Sequence, residues 1–220
     1  MATDQEKQQV VEALMALAGE RPWDRITLAE IAARAGIGLA ELRGLFSGRI
    51  AILEAFAASI DAKVIEGSDP QMAGEPGRDR LFDVVMRRLD LLAPYKAGIA
   101  GLARAARRDP GLALHLARIG LVSQHWMLAA AGIENTSTLG RLKAKGLGLA
   151  YADVLKVWLD EDDPGLPRTM KALDRSLERG DKAIDKLERA CARVAPFVRA
   201  CRPGKRPRPE PDVEPQVDAA

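Results

Sequence analysis

The two histidines are the side chains best suited to acid–base or metal chemistry, but their spacing favours neither. His115 and His125 lie ten residues apart on one predicted helix and therefore point to different faces. Neither has a cysteine, histidine or carboxylate at metal-ligand spacing, and Cys191 and Cys201 form no disulfide framework or metal pattern. Gly146-Leu-Gly148 lacks the third glycine and the preceding strand of a nucleotide-binding fingerprint, and no Gly-x-Ser-x-Gly elbow occurs. We predict that the protein is not an enzyme and holds no cofactor or metal.

Residues 26–46, ITLAEIAARAGIGLAELRGLF, have instead the pattern of a helix, a tight turn and a second helix. Thr27 and Glu30 have the spacing of a capping box, in which each side chain accepts from the other residue's amide. Gly36 can adopt the left-handed conformation that a sharp turn requires. A short helix is predicted over 39–45. This arrangement lets a protein place one helix in the major groove of DNA.

The elements around this segment are all predicted to be helices, because no stretch alternates with period two and β-branched and aromatic residues are sparse. The fold class is therefore predicted to be all-α. The Gly- and Pro-rich connector at residues 67–77 separates a domain at 1–66 from a second one at 78–200, and residues 201–220 have the composition of a disordered tail. The predicted helices cover residues 4–18, 28–35, 39–45, 49–65, 78–92, 94–108, 110–131, 139–159, 166–179 and 181–198.

Gly180 is predicted to end one helix, and Asp181 to cap the last one. The last helix has a narrow apolar seam with spacings of three and four residues, which indicates packing against one partner helix in the same chain or another. The seam consists of Ile184, Leu187, Cys191, Val194 and Val198.

The composition and net charge limit the classes of protein to which the chain can belong. The 220 residues carry a formal net charge of +2, with 47% hydrophobic and 29% charged side chains, as expected of a globular chain. The N-terminal residues lack a signal-peptide pattern, and the apolar stretch at 119–133 is too short to span a bilayer. We predict a soluble, cytoplasmic protein.

Charge is distributed unevenly along the chain. Residues 1–66 hold seven basic and ten acidic side chains, whereas residues 182–209 hold nine basic and two acidic ones. Because phosphate neutralisation supplies most non-specific DNA affinity, the acidic N-terminal segment argues against strong DNA binding. The basic C-terminal segment is interpreted either as a solvated surface or as a contact for nucleic acid or an anionic membrane.

The run WDRITLAEIAARAGI, residues 23–37, resembles the N-terminal helix-turn-helix of the TetR family of bacterial transcriptional regulators. The match covers about residues 8–60 and continues through Leu42, Phe46, Arg49, Leu53 and Phe56. The resemblance implies an all-α homodimer with a three-helix DNA-binding head. Its larger helical domain would bind a small, usually apolar ligand and dimerise through its last two helices. The implied function is ligand-controlled transcriptional regulation.

The resemblance also implies a set of DNA contacts, in which several residues depart from the family pattern. The family usually has Ser or Thr at Gly38, a Thr or similar residue at Glu41, Tyr at Arg43 and His at Leu45. Arg43 can replace the Tyr as a phosphate or guanine contact, and Arg49 matches a phosphate-binding Lys beside a helix N-terminus. The DNA-binding set is Thr27, Arg34, Gly38, Leu39, Ala40, Glu41, Arg43 and Arg49.

Residues 80–180 are similar, more weakly, to ubiquinone-biosynthesis accessory proteins of the same fold. The segments concerned are RRLDLLAPY at 87–95, WMLAAAG at 126–132 and LKVWLDEDDPGLPRTM at 155–170. This resemblance implies a lipid- or isoprenoid-binding protein that docks on a hydroxylase and does not bind DNA. It is the alternative function. A third one is an adaptor that uses its surface helices to bind another protein.

Both resemblances imply an apolar pocket in the second domain. Tyr95 and Tyr151 can each offer a hydroxyl to the head group of a ligand, whereas any single Met or aromatic residue at helical spacing is more often plain core. The predicted ligand-binding set is Met86, Leu89, Tyr95, Trp126, Met127, Tyr151, Leu155 and Trp158, with Val85 and Leu121 beside it.

Overall fold

The computed structural model describes residues 4–133 and 138–200, with the side chains of that range apart from 138, 139, 185, 187, 188 and 190–200. In these residues every regular element is a helix, which confirms the all-α class. None of the described helices is both long enough and apolar enough to cross a membrane. The α-helices are α1 Asp4–Glu20, α2 Leu28–Ala35, α3 Leu39–Leu45, α4 Arg49–Glu66, α5 Gly77–Leu92, α6 Lys96–Ala106, α7 Pro110–Ala130, α8 Thr138–Leu159 and α9 Pro167–Ala200.

The start and end of α2 follow directly from local sequence chemistry. The Glu30 amide donates to Thr27 Oγ1 at 3.2 Å, and the Thr27 amide donates to Glu30 Oε2 at 2.9 Å, so the capping box is confirmed. The bond from the Thr27 amide lowers the pKa of the Glu30 carboxyl. Gly36 has a φ of +73° and turns the chain toward α3. These features set the angle between α2 and α3.

Helices α1 to α4 share one apolar core. Leu14 of α1, Ile31 of α2, Leu42 of α3 and Ile52 of α4 are all buried within it. A 3-10 turn at Trp23–Arg25 precedes α2, and the Trp23 side chain closes this core. The short α3 packs on this core through the buried Leu42 and the half-buried Leu45, whereas its other side chains are exposed.

Helix α1 also packs closely against α6, through two glycines spaced three residues apart. A Cβ at Gly98 would lie 2.4 Å from the Met15 carbonyl oxygen, and one at Gly101 would lie 1.8 Å from that of Ala18. Both positions therefore require glycine for the backbones to approach. This contact joins helices α1 to α4, which we call the head, to the helices that follow them.

Two predicted helix boundaries are wrong. Residues 93–95 form a 3-10 turn and α6 begins at Lys96, so Pro94 does not open an α-helix. Helix α9 runs through Gly180 without a break, and Asp181 is therefore not a cap. A glycine inside a helix costs about 1 kcal/mol, which the good helix formers on both sides outweigh.

The chain divides by contacts into residues 1–182 and residues 183–220. The functional division at residues 67–77, where the structure has a 3-10 turn at Pro70–Gly74, stays a prediction. In the predicted partner seam, Ile184 is half-buried. The side chains of Leu187, Cys191, Val194 and Val198, like the tail at 201–220, lie outside the described residues.

Candidate DNA-reading surface and buried polar cluster

The exposed face of α3 brings five of the predicted DNA contacts together. Gly38 is the N-cap of α3, and Ala40, Glu41 and Arg43 are exposed beside Leu39, whose side chain is 52% exposed. This face combines one cation, one carboxylate and one large apolar side chain. Arg43 can donate to phosphate or to guanine, and Leu39 can contact a thymine methyl group.

Glu41 has a local structural role. Its carboxylate turns back to the start of α3, where Oε2 lies 3.4 Å from the Gly38 amide nitrogen, a long hydrogen bond. A carboxylate in the first turn is also favoured by the helix dipole. The structure therefore accounts for an acidic residue on this surface by helix capping, without requiring it to contact a base.

Arg34 is committed to an ion pair on the surface of the head. Its two terminal nitrogens donate to both carboxylate oxygens of Glu20, at 3.0 and 2.6 Å. The hydrogen bond from Arg34 lowers the pKa of Glu20, and the same bond raises the pKa of Arg34. A second pair, Arg21 to Glu30 at 2.6 Å, lies across the same helices. These two pairs connect α1 and its following turn to α2.

Arg49 is turned toward the protein. Its Nη1 donates to the carbonyl oxygens of Trp23 and Ile26, the latter at 2.8 Å, and its guanidinium lies 4.4 Å from the centroid of the Trp23 ring. Its position at the start of α4 is as expected, but Nη1 holds the turn before α2. A phosphate contact by Arg49 stays a prediction. The N–H groups of Arg49 other than Nη1 would have to make that contact.

Arg43 is the basic side chain that this surface leaves available. It is exposed, and it forms no ion pair within the part of the chain that the structure describes. Of the three predicted arginine contacts, Arg34 and Arg49 have internal partners, so Arg43 is the one that remains available for the predicted contact with DNA. Thr27, the remaining predicted contact, has its hydroxyl in the capping box.

The predicted ligand-binding residues of the second domain have several different environments. Leu89, Met127 and Trp158 are fully packed in the core, and Lys96 Nζ lies 5.3 Å from the centroid of the Trp158 ring. Tyr95 packs edge-on against Phe56, with their centroids 4.9 Å apart. Met86 and Leu155 are half-buried, Trp126 is exposed, and the hydroxyl of Tyr151 is buried. The binding of a ligand by this set stays a prediction.

Trp126 belongs to a surface groove between α4 and α7. The groove has a volume of about 450 Å³, and its apolar walls include Ile65, Ile119 and Val122. Asp61 and Ser123 also line it and are themselves buried. The groove therefore has largely apolar walls, which also include Glu54 and Arg118, and a polar floor.

Beneath this floor lies a buried polar cluster. Arg88 of α5, 6% exposed, forms an ion pair with Asp61 of α4 through Nη1 and donates to Ser123 Oγ of α7 at 3.2 Å. Ser123 Oγ in turn donates to Asp61 Oδ2 at 2.8 Å. The carboxylate thus has partners on both oxygens. The three groups form a closed ring that ties three helices together.

Two further polar side chains extend the cluster inward. Gln124 follows Ser123 on α7 and is 1% exposed, and the Arg88 guanidinium lies 5.8 Å from the centroid of the Tyr151 ring on α8. Burial raises the pKa of the Tyr151 hydroxyl, and the nearby Arg88 offsets only part of this effect. Except for Tyr151, no member of this cluster was among the predicted site residues.

Helices α1 to α4 contain a helix-turn-helix, and the described elements that follow them are also helical. Solved structures with this architecture match the chain. A TetR transcriptional regulator from Nitrosomonas europaea has a TM-score of 0.61 at 19% identity, over 81% of this chain and 99% of that one. One from Rhodococcus sp. has a TM-score of 0.58 at 20% identity, over 80% and 95%. A TetR-family regulator from Streptomyces coelicolor has a TM-score of 0.53 at 17% identity, over 88% and 89%.

The protein therefore has the fold of the TetR-family transcriptional regulators, as the resemblance of residues 23–37 predicts. No family model matches the sequence, and no curated protein matches it either. At these identities the likeness establishes the fold alone. The resemblance of residues 80–180 to the accessory proteins stays a prediction.

Proposed function

We propose that the protein is a TetR-type transcriptional regulator that binds operator DNA as a homodimer and responds to a small ligand. The observation that carries this proposal is the complete helix-turn-helix, in which α3 is held by Leu42 and presents Leu39, Ala40 and Arg43 outward. A dimer would present two such helices to successive major grooves. The acidic charge of residues 1–66 predicts that binding is modest and, because few phosphates are neutralised, that it depends only shallowly on salt.

The close packing of α1 on α6 supports ligand control. A rearrangement of the second domain that moves α6 has to move α1 as well, because Gly98 and Gly101 leave no space between the backbones. The ligand would shift the spacing of the two heads so that both α3 helices no longer fit the operator. This mechanism requires a ligand with different affinities for the two arrangements.

Replacement of Arg43 by alanine is expected to weaken operator binding about tenfold and to reduce the salt dependence. Each lost phosphate contact lowers the slope of log K against log salt by about 1, so a dimer loses about 2. The measurement is fluorescence anisotropy with the gene's own upstream DNA and with random DNA, across a salt series. Arg118→Ala, which removes an exposed arginine of α7, is the matched control.

Wild-type binding that is weak and equal for both DNAs would contradict the regulator function and leave the lipid-binding accessory protein as the alternative. Selective binding that Arg43→Ala leaves unchanged would show that α3 is not the reading helix. Arg34 and Arg49 are unsuitable for this test, because their replacement also removes the bonds to Glu20, Trp23 and Ile26.

Exposed apolar side chains on α8 and α9 support the proposed homodimer. Leu149 is 76% exposed, and Leu142, seven residues earlier on α8, is 49% exposed. Met170 of α9 is exposed as well. A spacing of seven residues places Leu142 and Leu149 on one face of the helix.

We expect Leu149→Glu to convert the dimer into a monomer, because a second copy would have to bury the introduced carboxylate without a partner. The measurement is molar mass by light scattering after size exclusion, over a range of protein concentrations. Leu114→Glu, a similarly exposed position on α7, is the control and should remain dimeric. Dissociation by Leu114→Glu instead would place the interface on α7.

A further inference from the structure

The buried polar cluster of the second domain contains polar atoms that the protein does not satisfy. Arg88 Nε, Gln124 Nε2 and Oε1, and the Tyr151 hydroxyl are all buried and make no hydrogen bond of ordinary length and angle within the described residues, although Arg88 lies close enough to the Tyr151 hydroxyl to offset part of the rise in its pKa that burial causes. Native proteins pair the large majority of buried polar atoms, and those left over call for an explanation. Four such atoms in three side chains of one cluster indicate a binding function.

The three side chains converge from three helices. Arg88 of α5 approaches Tyr151 of α8, with 5.8 Å from the guanidinium carbon to the ring centroid. Gln124 of α7 faces Gly148, where a Cβ would lie 3.8 Å from Gln124 Cγ, and Gly148 is about one turn before Tyr151 on α8. Gly148 places no side chain of α8 against Gln124 at this point. Arg88 and Gln124 thus both lie close to the same stretch of α8, about one turn long.

The charges of the cluster select a neutral ligand. Asp61 neutralises Arg88 through a buried ion pair, and Ser123 occupies the second carboxylate oxygen. Gln124 is neutral, and so is the protonated Tyr151 hydroxyl, whose pKa burial raises above its ordinary value. An anion would face the Asp61 carboxylate without an uncompensated cation to bind, and a cation would face Arg88.

The unpaired atoms also select the head group. Arg88 Nε and Gln124 Nε2 are donors and require an acceptor, whereas Gln124 Oε1 is an acceptor and requires a donor. The Tyr151 hydroxyl can do either. A carboxamide offers a carbonyl oxygen and N–H groups side by side, and so matches this pattern.

The surroundings are apolar. Leu89, which follows Arg88 on α5, and Met127, three residues after Gln124 on α7, are buried, as is Leu147 on α8. The groove between α4 and α7 reaches the outer side of the cluster at Asp61 and Ser123 and is walled by Val122 and Trp126. A ligand body in these surroundings has to be apolar.

We propose that the second domain binds a neutral small molecule with a carboxamide-type head group and an apolar body, and that Arg88, Gln124 and Tyr151 bind the head group. This inference rests on the proposed ligand-responsive function and gives it a ligand class. It differs from the expectation of a simply apolar ligand, because the buried polar atoms of Arg88, Gln124 and Tyr151 require hydrogen-bond partners.

The test compares three probes of similar size on the full-length protein: benzamide, benzoate and toluene, each at equal millimolar concentration. Benzamide is expected to raise the Tm progressively with concentration, whereas benzoate and toluene raise it little. An equal or larger shift with toluene would overturn the hydrogen-bonding site, and a larger shift with benzoate would overturn its neutrality. The absence of any shift with benzamide would overturn the proposal.

Variants assign the effect to the cluster. Gln124→Leu is expected to abolish the benzamide shift and to raise the Tm of the ligand-free protein by about 2–4 °C, because it replaces an unsatisfied buried amide by an apolar group. Tyr151→Phe is expected to reduce the benzamide shift without loss of stability. Gln9→Leu, at an exposed position of α1, should change neither value. A lower Tm in Gln124→Leu, or a benzamide shift that survives in it, would show that the amide is structural.

None of these measurements involves DNA, so the ligand class and the regulator function can fail separately. Binding of benzamide without operator binding would sustain the site and reject the regulator. Operator binding without a benzamide shift would do the reverse.

Discussion

Replacement of Gly101 by alanine is expected to lower the free energy of unfolding by about 3 kcal/mol. A Cβ at this position would lie 1.8 Å from the Ala18 carbonyl oxygen and 2.9 Å from its carbon. Both are backbone atoms, so no side chain can rotate away. The helices must separate along the crossing, and overpacking of this kind costs about 1–3 kcal/mol, with backbone clashes at the upper end.

The measurement is urea denaturation of Gly101→Ala beside Gly120→Ala. Gly120 lies inside α7, where a Cβ would meet nothing within 4 Å. Alanine there is expected to stabilise the helix by about 0.5–1 kcal/mol, because it restricts the unfolded chain. The two variants thus carry the same substitution, glycine to alanine, but their expected changes in the free energy of unfolding have opposite signs. If Gly101→Ala matched Gly120→Ala, α1 and α6 would not approach as closely as described.

The same contact predicts where operator binding is sensitive to changes far from α3. Gly98→Ala, whose Cβ would lie 2.4 Å from the Met15 carbonyl oxygen, would also push α1 away from α6. The head then changes its orientation without any change to Arg43 or Leu39. In the proposed mechanism, a ligand in the second domain would act by the same route.

The parts of the fold that the sequence predicted correctly depend on local chemistry. Thr27, Glu30 and Gly36 determine α2 through atoms at most a few residues apart, so their pattern is sufficient. The contact between α1 and α6 joins residues about 80 positions apart. The Gly-x-x-Gly spacing in α6 indicates a close approach but does not name the partner. Gly180 was misjudged because a glycine ends a helix only when a turn is more favourable than further helix.

The candidate sites show why basic residues are difficult to assign from sequence. Arg34, Arg43 and Arg49 fall in one motif, yet only Arg43 is exposed without an ion pair among the described residues. The partners of the other two, Glu20 and the Trp23 carbonyl, are distant in sequence. Because all three residues are arginines, the residue type alone does not show which of them is exposed and which has an internal partner.

The positions of Arg88 and Asp61 on their helices indicate a buried ion pair, although neither residue was among the predicted site residues. Arg88 lies three residues after Val85 and four before Leu92, and so falls on the buried stripe of α5. Asp61 lies three residues before Val64 and four after Ala57, on the buried face of α4. A cation and a carboxylate that both occupy core positions of predicted neighbouring helices indicate an internal ion pair, whereas Gln124 has no comparable signal.

Replacement of Arg88 by methionine is expected to destabilise the protein by about 3–5 kcal/mol. The change leaves the Asp61 carboxylate buried, 5% exposed, without its cation and with Ser123 as its remaining side-chain partner. Removal of one member of a buried pair costs this much because the other charge keeps its desolvation penalty without compensation. Asp61→Leu is expected to have a similar effect, since it leaves the Arg88 guanidinium uncompensated.

The double variant Asp61→Leu, Arg88→Met should recover most of the loss, because two apolar side chains of similar volume carry no desolvation penalty. Urea denaturation of all four proteins gives the coupling free energy directly. Losses that simply add would show that the two residues act independently and that the ring with Ser123 does not form. A stable double variant would also lack Arg88 Nε, and its benzamide shift should then be reduced although the fold is retained.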